Sequence, residues 1–259
     1  MTFYRPVTNY TLTGKVLLVP VVSVANVAQL AADLFIASLD LGRVGVFDPK
    51  CLVPVVGACE HGAAGITTPL ELFGSSSTDI AVIQQRSPVL KAFKKDFCHD
   101  LLEFTRTSGV SAVIFMAGVD MSNRHDAQML TPTTYFCPPG SPSLASTPLA
   151  SLAQLPIPPY SSPVPQFPPT DGEKSVVSVV PFIPGGGLAR RILGSVPSSW
   201  QIPTLCLLQY VMEGDNRLDA QLLAVVVAKA LNHSVSSWKQ PPTWGYGLFG
   251  TPHDQTLYG

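Results

Sequence analysis

The chain has 259 residues, of which 46% are hydrophobic and only 13% charged, and its formal net charge is −1. Globular domains carry about 25% charged residues, so this composition excludes a charge-driven disordered chain, and the near-zero balance excludes a general nucleic-acid binder. The longest apolar stretches, residues 16–22 and 222–228, fall far short of the ~20 residues a membrane-spanning helix needs. The N-terminus Met1-Thr2-Phe3-Tyr4-Arg5 lacks the basic-then-apolar pattern of a secretory signal. Five cysteines, Cys51, Cys59, Cys98, Cys137 and Cys206, form no Cys-x-x-Cys pair and read as reduced thiols of a cytosolic protein.

In chain order, residues 15–22 are an apolar, β-rich run that predicts a buried strand. Ser23 follows as a candidate helix cap. Val24, Val27, Leu30, Ala31 and Leu34 then recur at helical spacing, an apolar stripe that needs a covering layer. Strand, short turn and helix together open an α/β unit. Residues 42–47 predict a second strand, and Pro54 demotes residues 52–57 to an edge or a loop. A further strand is predicted at 80–85. Pro88 is a candidate helix start, and a firmer helix runs from about 96 to 107, with Phe97, Leu101, Leu102 and Phe104 inward and a stop at Gly109. Strands are predicted at 110–116, 176–183 and 204–211, and a long helix at 218–231. This alternation predicts one layered α/β domain with a largely buried sheet.

One segment departs from the pattern. No charged residue falls between Asp126 and Asp171, and eleven prolines fall from Pro138 to Pro169. Proline removes backbone donors and blocks both regular structures, so residues 137–172 are expected to form a disordered or polyproline-like loop within the domain. Pro156, Pro159 and Pro165, Pro168 give PxxP spacings, but no Arg or Lys flanks them, which argues against a peptide ligand for a proline-binding domain.

The residues that could carry chemistry are few. Pro184-Gly185-Gly186-Gly187, followed by Arg190 and Arg191, could cradle a phosphate on backbone amides at a helix start. It matches neither G-x-x-x-x-G-K-[ST] nor G-x-G-x-x-G, and a close backbone packing turn is the simpler reading. No G-x-S-x-G elbow is present, which argues against an α/β-hydrolase. Cys59-Glu60-His61 lacks the second ligand pair of a metal site. Cys98 and His99 cannot form a nucleophile–base pair by adjacency on a helix. His125 and Asp126 lie in a polar loop after a strand, a place where α/β folds put catalytic groups. Glu213-Gly214-Asp215-Asn216 sits between a strand and a helix, where Asp215 or Asn216 can cap and the acids suit the helix N-terminus. Lys91, Lys94 and Lys95 read as a solvated helix face.

The ordered set of these pieces resembles the proteasome assembly chaperone family. The resemblance runs through Leu17-Leu18-Val19-Pro20-Val21-Val22-Ser23-Val24, Gly45-Val46-Phe47, Cys51-Leu52-Val53-Pro54-Val55-Val56-Gly57 and Gln85-Arg86-Ser87. It continues through Ile183-Pro184-Gly185-Gly186-Gly187, Glu213-Gly214-Asp215-Asn216, Trp244 and Leu248-Phe249-Gly250. It implies a three-layer α/β/α domain related to phosphorylase/hydrolase-like folds, spanning residues 1–259. The role it implies is non-enzymatic and cytoplasmic and nuclear, without cofactor, metal, nucleic acid or membrane. The implied partners are proteasome assembly chaperone 1 and the α subunits of the proteasome core particle, with the pair promoting α-ring assembly and blocking off-pathway α-ring dimers. On this reading Pro184, Gly185, Gly186, Gly187, Glu213, Gly214, Asp215 and Asn216 are structural signatures.

Residues 251–259 are expected to form an extended tail ending Leu257-Tyr258-Gly259. This ending is similar to the hydrophobic–tyrosine–X tail with which proteasome activators and some of these chaperones dock between α subunits. Leu257 can fill an apolar pocket, Tyr258 offers a large ring with a hydroxyl, and the Gly259 carboxylate can pair with a basic group. The low charge suits a large permanent interface. The other function class is a phosphorylase- or hydrolase-like enzyme using the turn at 185–187 with Arg190, Arg191 and His125 or Glu213, which a convergent pocket of perturbed acids and bases would favour.

Overall fold

The computed structural model describes residues 2–59, 65–164 and 180–246. Its centre is the strand pair β2 (Val16–Pro20) and β8 (Ala112–Asp120), parallel and in register from Val16↔Ala112 to Pro20↔Met116. All five residues of β2 and all but Asp120 of β8 are buried or nearly so. Strands covered on both faces read as continuous apolar runs, which is why these segments do not alternate.

Eight strands complete the mixed sheet, in the order β1-β3-β6-β7-β2-β8-β10-β9. Its parallel centre is β7 (Ile80–Gln85), β2, β8 and β10 (Thr204–Val211). One antiparallel flank is β6 (Leu70–Gly74), β3 (Gly42–Phe47) and β1 (Tyr4–Pro6). The other is β9 (Thr133–Phe136), antiparallel to β10. A separate hairpin pairs β4 (Gly57–Ala58) with β5 (Ile66–Thr67).

Helices cover both faces. On one, α1 (Val27–Ser38) and α4 (Arg217–Ala230) place Phe35, Leu34, Leu223 and Val227 on Leu18, Ile114 and Leu207. On the other, α2 (Lys94–Thr107) and α3 (Gly187–Gly194) place Phe97, Leu101, Leu188 and Ile192 on Val19, Phe115 and Leu208. Gly109 follows α2 with φ +73°, the left-handed position after a helix end that glycine serves. The expected three-layer α/β/α arrangement is therefore present.

Three expectations need correction. First, residues 137–164 are not a disordered loop. They form an ordered strap with 3-10 turns at Leu144–Ser146 and Ala150–Gln154. Leu149 is fully buried and Leu152 nearly so, both in the core on the α1/α4 face. Tyr135 N–H donates to Pro158 O at 3.1 Å, Tyr160 N–H donates to Tyr135 O at 2.7 Å, and the Tyr160 hydroxyl donates to Phe182 O at 2.7 Å. Absence of charge, together with leucines, marks burial; disorder needs high charge and low hydrophobicity. Residues 165–172 lie outside the described residues. Second, of the strand expected at 176–183, residues 180–183 are irregular, with Val180 and Ile183 buried, and 176–179 lie outside the described residues. Third, Ser23 does not cap α1: its hydroxyl donates to Val21 O at 3.0 Å and accepts from Gly118 N–H at 2.7 Å.

If the strap is part of the core, Leu149→Ala costs about 2–5 kcal/mol in a urea or guanidinium unfolding titration. A loss under about 0.5 kcal/mol, the range of surface substitutions, would mean that the strap is not packed.

Candidate functional site

In open α/β sheets the carboxyl ends of the parallel strands are where ligands usually bind. Here the ends of β2, β8 and β10 are tied together by backbone contacts. After β2 the chain enters a bend, a short 3-10 turn at Val24–Asn26 in which Ala25 has φ +61° and Asn26 φ +53°. For alanine the left-handed conformation costs roughly 1–2 kcal/mol. The Ala25 N–H is engaged by Glu213 Oε1 at 3.1 Å, from the turn that follows β10.

The glycine turn packs against the same bend. Val24 N–H donates to Gly185 O at 3.2 Å, Asp120 N–H donates to Pro184 O at 2.9 Å, and Gly186 N–H donates to Ile183 O at 3.0 Å. Gly185 has φ +72°, and a Cβ there would stand 2.8 Å from Val24 Cβ. Gly118 of β8 lies beneath, where a Cβ would stand 2.5 Å from Val24 O. Absence of side chains at 118 and 185 is what lets the bend lie on the strand ends.

The arginines after the turn face elsewhere. Arg190 Nε donates to Val180 O at 3.2 Å and its guanidinium stacks on the Phe182 ring at 5.7 Å, while Arg191 is exposed. At the other turn, Asp215 is paired with Arg217, whose guanidinium holds the carboxyl below the usual carboxylate range. Asp215 Oδ1 also accepts from Arg217 N–H at 3.2 Å, at the start of α4. Asn216 is buried and turns backwards, its Nδ2 donating to Met212 O and Gly214 O, both at 2.9 Å.

The structure thus brings Pro184, Gly185, Gly186 and Glu213 together around Val24 and Ala25. It leaves the other sequence candidates apart. His125 and Asp126 are exposed on a 3-10 turn after β8. Burial pushes the Cys98 thiol up to about 11, so it is protonated and inert near neutral pH. Glu60 and His61 lie outside the described residues, as do Leu257, Tyr258 and Gly259. Among the described residues no group of three His, Cys, Asp or Glu is placed to hold a metal ion, and no helix is long and apolar enough to cross a membrane.

Sequence reasoning missed the rim of this end of the sheet. Leu130 is 87% exposed, Leu218 80%, Met212 59% and Phe182 40%. Met212 follows β10, Leu218 lies in the first turn of α4, Leu130 precedes β9, and Phe182 precedes the glycine turn. A signal was available: Met212 and Leu218 are apolar residues flanking a turn of acids and glycine, where a solvated connection carries polar ones.

Residues 17–236 match the PAC2 family. The chain belongs to that family. It is 32% identical over 263 residues to proteasome assembly chaperone 2 of Bos taurus, covering 95% of this chain and 96% of the relative. It is 33% identical over 247 residues to proteasome assembly chaperone 2 of Xenopus laevis, covering 91% of each. The crystal structure of Pyrococcus furiosus PbaA, an archaeal homologue of proteasome-assembly chaperone, superimposes with a TM-score of 0.58 at 17% identity, over 90% of this chain and 88% of that one. The PAC2 fold of this chain is thus an α/β/α sandwich whose strand ends are sealed by the bend at Val24–Asn26.

In this PAC2 chain Gly185→Ala is expected to cost about 1–3 kcal/mol, through its positive φ and the Val24 contact. Gly187, with nothing within 4 Å of an added Cβ and a place in the first turn of α3, gives the control. There Ala should be neutral or stabilising by up to about 1 kcal/mol. Denaturant midpoints of the two variants check this, and equal effects would contradict the interlock.

Proposed function

We propose that this chain is an assembly chaperone of the proteasome core particle, acting by binding and not by catalysis. The observation that carries the reading is the 32% identity to bovine proteasome assembly chaperone 2 across nearly the full length of both chains. The proposed partner is proteasome assembly chaperone 1, and the proposed client is the set of proteasome α subunits. The pair promotes α-ring assembly and prevents off-pathway α-ring dimers, in the cytoplasm and the nucleus.

Two features of the chain support this. The crevice at the strand ends is occupied by Val24 and Ala25, with backbone groups of the glycine turn bonded inward at Gly185 and Gly186. That leaves little room for the phosphorylase- or hydrolase-like alternative, which needs the turn's amides directed at a ligand. Around the same end Leu130, Phe182, Met212 and Leu218 are exposed apolar side chains of the kind that protein partners cover, with the charges of Glu213, Asp215 and Arg217 between Met212 and Leu218.

The tail residues Leu257, Tyr258 and Gly259 are proposed to dock between α subunits. Tyr258→Ala removes a ring of the type that dominates interface hot spots, where losses of ~2 kcal/mol or more are common. Binding to isolated α rings is expected to weaken about thirtyfold, and one residue added after Gly259 should do the same by displacing the carboxylate. A binding titration with wild type, Tyr258→Ala and the extended tail checks this. Equal affinities would remove the tail from the account, and no binding by wild type, with or without proteasome assembly chaperone 1, would overturn the chaperone reading.

A further inference from the structure

Away from the glycine turn, on the other flank of the sheet, the polar groups between α1 and strands β3, β6 and β7 do not balance. Glu71 of β6 and Gln84 of β7 are cross-strand partners, and both are fully buried. Gln29 and Asp33 of α1 lie over them. Gln84 Nε2 donates to Gln29 O at 2.9 Å and to Asp33 Oδ1 at 2.7 Å. Arg86 meets Asp33 at 2.9 Å. Arg43 joins Glu71 Oε1 at 2.8 Å, and Thr68 N–H donates to the same oxygen at 3.1 Å.

The unused groups here are three acceptors and one hydroxyl, Thr68 Oγ1. Glu71 Oε2, Gln84 Oε1 and Gln29 Oε1 are all buried without a hydrogen-bond partner. Turning the Gln84 amide round does not help, because its nitrogen already serves two acceptors. Leaving a charged oxygen unpartnered in a buried setting is costly. Three acceptors stand against one hydroxyl, and the Thr68 hydroxyl makes no hydrogen bond to Glu71 Oε2, so the site is short of donors.

Glu71 also lines a cavity of about 260 Å³ between α1, β3, β6 and the β4–β5 hairpin. Asp33 and Asp40 line it too, against Arg43 and Arg86, so three carboxylates face two guanidiniums. Ile36 and Phe73 give it an apolar wall. The volume is below the range of drug-sized ligand sites and suits a single head group on a short stem. At its rim Arg43, with a side chain 32% exposed, donates to Ile66 O at 2.6 Å as well as to Glu71.

We propose that this cavity binds a guanidinium or primary ammonium group carried on a short apolar stem. The head group donates to Glu71 Oε2, and the stem runs along Ile36 and Phe73. An anion is disfavoured, because both arginines are already matched to carboxylates and the unpaired groups accept. The cation can be a free small amine or a Lys or Arg side chain of a bound protein.

The test uses the full chain with three probes: agmatine, N-acetyl-arginine amide, and N-butylurea, a neutral urea on the same four-carbon stem with no amine. Calorimetry and thermal shift are read together. Agmatine should bind saturably, one per chain, and the neutral isostere should not. Binding by N-acetyl-arginine amide as well points to a protein side chain; binding by agmatine alone points to a free amine; both uphold the site. Glu71→Gln should weaken agmatine about tenfold, the effect of a charge-assisted hydrogen bond. Because a change at a buried carboxylate can unsettle folding, Ala37→Leu serves as a second variant: Ala37 lines the cavity outside the ion pairs, and the larger side chain should block the probe in a folded protein. No binding by either cation, or an equal response to the neutral isostere, overturns the proposal and leaves the acceptors to solvent.

Discussion

The contact on which the rest of this fold depends is backbone against backbone: the bend at Val24–Asn26 resting on Gly118 and Gly185. It sets where α1 begins, and α1 with α4 and the strap covers one face of the sheet. It also ties three connections together, those after β2, β8 and β10, through the Val24–Gly185, Asp120–Pro184 and Ala25–Glu213 hydrogen bonds. A left-handed alanine is tolerated only where its surroundings over-determine it, and here a carboxylate and two glycines do so. The consequence is functional. The position where an α/β fold ordinarily opens toward a ligand is filled by the chain itself, and what remains at that end is an exposed apolar rim.

Much of the fold was legible because long apolar runs leave little choice. Strands at 42–47, 80–85 and 204–211 match the observed β3, β7 and β10 residue for residue, and α2 and α4 begin within two residues of expectation. Short edge strands were not legible. Tyr4–Pro6 and Thr133–Phe136 are three and four residues long, and their pairing is decided by neighbours distant in sequence. The strap at 137–164 was misread because proline was weighed above leucine: proline forbids helix and strand, but it does not forbid burial, and Leu149 and Leu152 supply the burial.

The candidate site was legible as residues and not as an arrangement. Glycines 185–187 and the acids at 213–216 stand out in the sequence, yet nothing in their spacing says that Glu213 reaches Ala25, 188 positions away. The role of Ser23, expected as a helix cap, and the need for Gly118 were hidden for the same reason, since each matters through a hydrogen bond or a close approach made across the sheet. The cluster around Glu71 was wholly hidden. No strand is predicted at residues 70–74, and only the packing of α1 over β6 shows that Glu71 is buried.

Reconstitution tests most directly the proposal that this PAC2-family chain promotes α-ring assembly by binding. Purified proteasome α subunits are mixed with and without this chain and proteasome assembly chaperone 1, and the products are counted by native mass spectrometry. The account predicts more single α rings, fewer ring dimers, and this chain bound to the rings in fixed stoichiometry. An unchanged distribution, with neither the chain nor its partner chaperone found on any α-subunit species, would contradict it.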